Sequence, residues 1–286
     1  MVDSSRAQGC RSMMIVFASI AVIASLASQS GKSEDCFEPH ASGYVTSASD
    51  TPFDAPTNMV LFLLVGQSNM AGRAKPCGKE PLPSVCKLNR RGEWVVATSP
   101  IHFDRSTAGV GPVESFVRDY RRDHPSVTVG LVPCAVGGSG MGTWCVSTNG
   151  IMGSNLEQAL SRARRAVAYG RFAGVLWHQG ETDAKRVDGK VLAARYPRQF
   201  ESMVSAVRQA VGDPELPVVI GEIGRFNPDL AAKMNPVLNA LPRQIGHCTC
   251  VSSEGLNNQD RWHFDKDAVT ELGHRYYAGW KGLVRE

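Results

Sequence analysis

Residues 59–66 read MVLFLLVG, seven apolar side chains in a row closed by a glycine. A strand that is apolar on both faces is typical of a parallel sheet covered by helices on each side. Similar short apolar runs recur along the chain, at residues 127–132, 174–177, 217–223 and 248–252. The sequence therefore predicts five strands that are buried within one sheet.

Three helical patterns alternate with these runs, at residues 156–167, 193–211 and 268–280. Ser154 and Glu157 have the spacing of a capping box at the start of the first helix. Pro197 is expected in the first turn of the second helix, where proline is tolerated. Strands that alternate with helices predict one α/β domain over residues 57–286. We expect a three-layer α/β/α sandwich with a doubly wound, mainly parallel five-stranded sheet.

The composition is that of a soluble globular protein, with 43% hydrophobic and 20% charged residues. The formal charge of +4 is small for 286 residues. Nucleic-acid binding would require clustered Lys and Arg, so the composition gives no support for a nucleic-acid partner.

The first 27 residues have the layout of a secretory signal peptide. Arg6 and Arg11 precede an apolar run at residues 13–26. A membrane anchor is the alternative, but this run is shorter than the ~20 apolar residues that a spanning helix needs. Residues 28–56 are rich in Ser, Gly, Asp and Pro, which is typical of a mobile lead-in. We therefore expect a secreted protein that has no membrane contact after cleavage.

The cysteines fit an oxidising compartment. Once Cys10 leaves with the signal peptide, seven remain, so at least one has no partner within the chain. Two pairs flank short loops and are candidates for disulfides: Cys77 with Cys86, and Cys134 with Cys145. Cys248 and Cys250 lack the spacing of a zinc site, and we expect no metal and no cofactor.

In open α/β sheets, ligands bind beyond the carboxyl ends of the strands. Residues 66–72, GQSNMAG, follow the first predicted strand and place Ser68 on a strand-to-helix turn. A serine in such a turn is exposed at the rim of the sheet and can act as a nucleophile. Taken alone, Ser68 would more simply be a helix N-cap.

Residues 135–141, AVGGSGM, follow the second predicted strand. The amides of a glycine-rich turn can point towards a negatively charged oxygen. The Lys and Ser/Thr of a P-loop are missing, which argues against phosphate binding. A purely structural turn stays open as an alternative.

Residues 177–183, WHQGETD, follow the third predicted strand. Gln179 has a side-chain amide that can donate to an oxyanion. His178, Glu181 and Asp183 are ionisable neighbours that either hold the loop together or contact substrate. The sequence favours no direct catalytic role for these three residues.

Residues 260–265, DRWHFD, follow the last predicted strand. Asp260 stands three residues before His263, so its carboxylate can orient the imidazole while the other ring nitrogen faces a serine. Asp265 is the alternative orienting acid. His274 lies in the closing helix, and we expect it to be structural.

Together these four segments resemble the SGNH (GDSL-like) hydrolases, from about residue 58 to the end of the chain. Within that superfamily the chain is similar to the plant carbohydrate esterases related to sialate O-acetylesterases and acetyl xylan esterases. The broader superfamily has aspartate after the first glycine and asparagine in the third segment, where this chain has Gln67 and Gln179. These two glutamines are shared with the carbohydrate esterase branch.

The resemblance implies specific roles for the site residues. Ser68 would be the nucleophile, with His263 and Asp260 as its triad partners. The oxyanion donors would be the amides of Ser68 and Gly138 and the side chain of Gln179. We further expect three residues to bind substrate: Gln67, Asn69 and Glu181.

The expected activity is removal of acetyl or other small acyl groups from O-acetylated carbohydrates by a monomeric enzyme in the cell wall or apoplast. A lipid or aryl esterase is the nearest rival function, but the Gly-, Asn- and Gln-rich loops favour polar substrates. A carbohydrate-binding protein that has lost its activity is a second rival. A metal-dependent deacetylase is a third, and it would need His and Asp ligands gathered at one point, whereas the candidates are scattered along the chain.

Overall fold

The structure is a computed structural model, and it describes residues 50–75, 78 and 80–284. Its sheet has seven strands in the order β3-β2-β4-β1-β5-β6-β7. The strands are β1 (Met59–Gly66), β2 (Val85–Leu88), β3 (Trp94–Val96), β4 (Val129–Pro133), β5 (Gly170–His178), β6 (Val218–Gly221) and β7 (Cys248–Val251). Every neighbouring pair is parallel except β2 and β3. The predicted α/β fold is confirmed, with two strands more than expected.

The helices within the described residues are α1 (Ser68–Ala71), α2 (Val113–Asp123), α3 (Ser154–Ala166), α4 (Glu181–Arg186), α5 (Gly189–Val211), α6 (Pro228–Ala240) and α7 (Lys266–Leu283). Helices α2 and α7 cover one face of the sheet, and α3, α5 and α6 cover the other. This arrangement is the three-layer sandwich that the sequence predicts.

Strand β1 occupies the centre of the sheet, between β4 and β5. Leu61, Leu63 and Val65 belong to the hydrophobic core on one face, while Phe62 and Leu64 belong to the core on the other. The Phe62 ring meets aromatic rings of both covering helices edge-on, among them Phe116, Tyr120 and Trp280. Continuous hydrophobicity in β1 therefore reflects burial on both faces.

The two strands that the sequence analysis missed lie at one edge of the sheet. Strand β2 contains Lys87, whose ammonium donates to the backbone oxygens of Thr98 and Pro100 at 3.0 and 2.7 Å. Strand β3 has only three residues. The charged Lys87 interrupts β2, and β3 is short. Neither strand therefore has the apolar run by which the other strands are recognised in the sequence.

Local details of two helices differ from prediction. Gly153 caps α3, and no side chain caps it, so the predicted capping box of Ser154 and Glu157 is wrong. Helix α5 begins four residues earlier than its apolar pattern, at Gly189. Pro197 therefore lies inside the helix rather than in its first turn.

The lead-in contacts the sheet where the structure describes it. The N–H of Phe53 donates to the Trp94 oxygen at 3.0 Å, and the N–H of Val96 donates to the Thr51 oxygen at 2.9 Å. The predicted signal peptide and residues 28–49 lie outside the described residues. No helix among the described residues is long and apolar enough to span a membrane.

The described cysteines, at positions 86, 134, 145, 248 and 250, are free thiols. The predicted Cys134–Cys145 disulfide is therefore wrong. The Cys134 thiol is hydrogen-bonded with Arg162, while that of Cys145 contacts Gln199 and the Gly142 oxygen. Cys86 is buried against the Met59 sulfur, and its predicted partner Cys77 lies outside the described residues.

Gly66 ends β1 where the backbone comes closest to β5. Its φ of +130° is rarely adopted by residues with a side chain, and a Cβ there would lie 2.1 Å from the His178 oxygen. The Gly66 oxygen accepts the N–H of Val136 at 3.0 Å, which joins this strand end to the glycine-rich turn. Glycine at position 66 thus sets where residues 67 and 68 begin.

We expect Gly66→Ala to lower the free energy of unfolding by about 3 kcal/mol or more, because the methyl group overlaps backbone atoms that cannot move independently. Urea denaturation measures this loss. Gly142→Ala is the matched control, since a Cβ at that position meets nothing within 4 Å. Equal effects of the two substitutions would contradict the role given to Gly66.

Candidate active site

The segments singled out in the sequence converge at the carboxyl edge of the parallel strands. Strand β1 leads into α1, β4 leads into the glycine-rich turn, and β5 leads into Gln179 and α4. The segment between β7 and α7 carries Asp260 and His263. Because parallel strands end at the same edge, four distant pieces of sequence meet there.

Ser68, His263 and Asp260 form one hydrogen-bonded chain. His263 Nε2 lies 3.1 Å from Ser68 Oγ, and His263 Nδ1 lies 2.8 Å from Asp260 Oδ2. With Nδ1–H donating to the carboxylate, Nε2 is left as the acceptor that faces the serine. The structure therefore brings together the three residues that the sequence analysis selected.

Asp260 is held in place by its own backbone as well. Its Oδ1 accepts the N–H groups of Trp262 and His263 at 2.7 and 2.9 Å. Partial burial raises the pKa of the Asp260 carboxyl, but the hydrogen bonds from His263 and Trp262 outweigh it, so the pKa lies below its usual range. The carboxyl stays ionised and can stabilise a protonated imidazole.

Asp265, the alternative orienting acid, has a different position. It is the N-cap of α7, where its Oδ1 accepts the N–H of Ala268 at 2.8 Å. His274 makes a short contact with Asp119 on the helical layer, as a structural histidine would. Neither residue contacts Ser68.

Asn69 connects the serine helix to the histidine segment. Its Nδ2 donates to the Trp262 oxygen at 3.1 Å, and its Oδ1 accepts the N–H of Phe264 at 3.4 Å. The same Nδ2 donates to Glu181 Oε1 at 2.5 Å. Asn69 is 2% exposed. Its amide is thus used within the protein, rather than presented to substrate as the sequence analysis expected.

Glu181 is a buried carboxyl beside His178. Burial raises the pKa of Glu181 to about 7 and lowers the pKa of His178 to about 3. His178 Nε2 lies 3.7 Å from Glu181 Oε1, and His178 Nδ1 contacts the Tyr276 hydroxyl at 3.2 Å. His178 is therefore neutral near neutral pH and belongs to the core, while Glu181 keeps its proton to a higher pH than an exposed carboxyl does.

Gln179 lies beneath the glycine-rich turn and is completely buried. Its Nε2 donates to Ser139 O at 3.1 Å, to Gln67 Oε1 at 3.3 Å and to Asp183 Oδ2 at 2.5 Å. Its Oε1 accepts the Tyr196 hydroxyl at 2.8 Å. These bonds occupy the whole amide, so the predicted oxyanion role of Gln179 does not fit its position.

Gln67 lies between Gln179 and the pocket. Its Oε1 accepts from Gln179 Nε2 and from the N–H of Thr182. That orientation leaves Nε2 as the other end of the amide, with no acceptor among the described residues. Gln67 lines the pocket next to Ser68.

The glycine-rich turn presents Gly138 to the pocket with a φ of +78°. Neither its N–H nor that of Ser68 has an acceptor in the described part of the chain. Asp104 fixes this turn, since its Oδ2 accepts the Gly137 N–H at 2.8 Å and pairs with Arg73 at 2.6 Å. Asp104 lies in a loop outside every motif, so no signal in the sequence points to it.

These groups surround a pocket of about 560 Å³, which is within the usual size of small-ligand sites. Ser68, His263, Asp260, Gly138 and Gln67 all line it. No group of three or more His, Cys, Asp or Glu side chains in the described residues is arranged to hold a metal ion.

Comparison with known proteins identifies the family of the chain. The family model for carbohydrate esterases described as sialic acid-specific acetylesterases matches residues 58–280. The probable carbohydrate esterase At4g34215 of Arabidopsis thaliana is 29% identical over 259 residues, which cover 81% of this chain and 94% of that protein. The X-ray structure of the Arabidopsis protein has a TM-score of 0.68 at 25% identity, covering 79% of this chain and 99% of that one.

Two more distant structures share the fold. NanS has a TM-score of 0.63 at 17% identity, covering 82% of this chain and 99% of its own. XAC1771, a carbohydrate acetylesterase from Xanthomonas citri, has a TM-score of 0.56 at 19% identity, covering 78% of this chain and 56% of that one. The resemblance to the SGNH carbohydrate esterases is thus confirmed, and the chain belongs to the family of carbohydrate esterases described as sialic acid-specific acetylesterases, whose members are carboxylic ester hydrolases.

Proposed function

We propose that the protein removes acetyl groups from O-acetylated carbohydrates through a Ser68–His263–Asp260 triad. The observation that carries this proposal is the hydrogen-bonded chain from Asp260 through His263 to Ser68 Oγ at the pocket. Membership of the carbohydrate esterase family supports an ester on a sugar as the group that is cleaved. The N-terminal sequence pattern further supports secretion to the cell exterior.

The reaction begins when Ser68 Oγ attacks the ester carbonyl. His263 Nε2 accepts the serine proton, and Asp260 stabilises the imidazolium that results. His263 then gives the proton to the sugar oxygen as its bond to the carbonyl carbon breaks, so that the sugar leaves as an alcohol and the acetyl group stays on Ser68. A water molecule repeats the attack, and acetate departs as the serine is restored.

The negative oxygen that forms in each step needs N–H donors. The backbone N–H groups of Ser68 and Gly138 are available, as is Gln67 Nε2. Gln179 supports these donors from below, because it bonds both Gln67 and the Ser139 oxygen. We therefore assign the side-chain donor to Gln67 in place of Gln179.

Asn69 is a positioning residue in this mechanism. Its amide bonds the peptides on both sides of His263, and Glu181 holds that amide. A protonated Glu181 does this without placing a full negative charge beside the developing oxyanion.

We expect Ser68→Ala to lower acetate release by at least ~10³-fold, because the acyl-enzyme cannot form. Release is measured from acetylated xylan, acetylated pectin and p-nitrophenyl acetate, with circular dichroism to confirm folding. Ser161→Ala, on the exposed side of α3, is the control. Activity retained in the Ser68 variant would refute the proposed nucleophile.

Gln67→Glu tests the side-chain oxyanion donor. The glutamate keeps an oxygen for Gln179 and Thr182, but it replaces the Nε2 donor with a carboxylate oxygen. We expect kcat on p-nitrophenyl acetate to fall by ~10²–10³-fold with a small change in KM. Gln209→Glu, at an exposed position on α5, controls for the added charge. A loss below about threefold would remove Gln67 from the oxyanion site.

Glu181 makes stability depend on pH. Its pKa is raised from 4.5 to about 7, so the folded protein holds a proton that the unfolded chain releases above about pH 4.5. Stability therefore falls as pH rises from about 4.5 to about 7, and it stays reduced above that range.

We expect Glu181→Gln to remove this loss, so that its stability relative to wild type increases by on the order of 2 kcal/mol between pH 5 and pH 8. Urea denaturation across that pH range measures the difference. Glu201→Gln is the control, because it also removes one carboxyl group but does so at an exposed position. A pH-independent difference for Glu181→Gln would show that the carboxyl is ionised throughout.

A further inference from the structure

The pocket has a strong excess of positive charge. Five cationic side chains line it, from Arg73, Lys75, Arg105, Lys185 and Arg186, against the two carboxyl groups of Asp260 and Glu181. The whole chain has a formal charge of only +4. The positive charge is therefore concentrated around the proposed nucleophile.

The neighbouring carboxyl groups neutralise only part of this charge. Asp104 pairs with Arg73, Asp260 is bonded to His263, and burial raises the pKa of Glu181 to about 7. The side chains of Lys75, Lys185 and Arg186 are exposed and have no carboxylate partner within the described ranges. Three cations thus face the pocket opening without compensation.

The cations stand on two walls of the pocket. Arg105 lies on the wall of the glycine-rich turn, where its guanidinium donates to the Gly137 oxygen at 3.1 Å. Lys185 lies on the histidine wall, with its ammonium 4.9 Å from the centre of the Trp262 ring beside His263. Ser68 lines the same pocket as the wall of the glycine-rich turn and the histidine wall, so a sugar chain bound at Ser68 would meet positive charge on both walls.

Ester hydrolysis by a serine and a histidine has no requirement for these side chains. Cations that line one pocket repel one another, and a neutral sugar would not reduce that repulsion. An anionic ligand would relieve that repulsion, and it would be drawn towards the opening by the local field. The arginine guanidinium in particular matches the planar geometry of a carboxylate.

We propose, on the basis of the function proposed above, that the natural substrate is an acylated acidic carbohydrate, a chain of uronic acids whose carboxylates bind the cations around Ser68. Separate single cations on two walls suit separate single charges on neighbouring sugars. The pocket volume of about 560 Å³ accommodates a sugar together with parts of its neighbours.

The test compares two forms of one polymer: acetylated polygalacturonate, and the same preparation with its carboxyl groups methyl-esterified. We expect kcat/KM for acetate release to be on the order of tenfold higher for the acidic form, with the difference in KM. The preference is expected to shrink at ~1 M salt, where the Debye length is ~3 Å. Equal kcat/KM on the two forms would overturn the proposal.

Paired variants locate the preference. Lys185→Gln with Arg186→Gln, in the last turn of α4, is expected to lower the ratio between the two polymers from on the order of tenfold to about threefold, because Lys75 and Arg105 remain. Arg164→Gln with Arg165→Gln removes two exposed charges from the last turn of α3 and is expected to keep the ratio of the wild type. An unchanged ratio in the α4 variant would also overturn the proposal.

Two further arms separate the remaining explanations. Faster hydrolysis of free O-acetylated sialic acid, which carries a single carboxylate, than of the acidic polymer would overturn the assignment to a chain of uronic acids. The Ser68→Ala variant tests the proposed serine-dependent hydrolysis separately from the proposed substrate. If p-nitrophenyl acetate hydrolysis does not depend on Ser68, the proposed function fails and the substrate proposal fails with it, whereas serine-dependent hydrolysis without polymer preference rejects the substrate proposal only.

Discussion

The amide of Asn69 connects two parts of the chain that are almost two hundred residues apart, and the site depends on that connection. It bonds the backbone immediately before and immediately after His263, at Trp262 and Phe264. Asn69 follows Ser68 in sequence, so the same buried residue fixes the positions of the Ser68 hydroxyl and the His263 imidazole. The distance between His263 and Ser68 is thus set by the neighbouring hydrogen bonds of Asn69. It does not depend on the strength of the His263–Ser68 hydrogen bond alone.

A second buried layer supports the rest of the pocket in the same way. Gln179 and Asp183 hold the glycine-rich turn through Ser139 and Met141, and Asp104 holds it through Gly137. Hydrogen bonds in such a dry layer are strong, and leaving any of them unpaired is costly. The layer therefore keeps the N–H groups of the pocket oriented before substrate arrives, which is what oxyanion stabilisation requires.

The sequence was most informative where one residue type had one plausible environment. The apolar run of β1 can only be buried on both faces, and the spacing of Asp260 and His263 suits a turn that closes on itself. The predicted oxyanion role of Gln179 is wrong because the sequence does not distinguish an amide that faces the pocket from one that bonds within the protein. Asp104 and the strand that contains Lys87 carry no local signal, since their partners come from distant parts of the chain.

The charge of the pocket and the protonation of Glu181 are consistent with one another. A buried carboxylate next to Asn69 would oppose both the anionic substrate and the oxyanion at Ser68 that we propose. Burial favours the neutral form of Glu181, so the acid can hold Asn69 while adding little negative charge to the floor of the pocket. In the proposed reaction, the charge of Asp260 is compensated by the imidazolium of His263. The electrostatic field in the pocket is then dominated by the cations at its opening. In the proposed reaction, that field favours negative charge in the transition state as well as in the bound sugar.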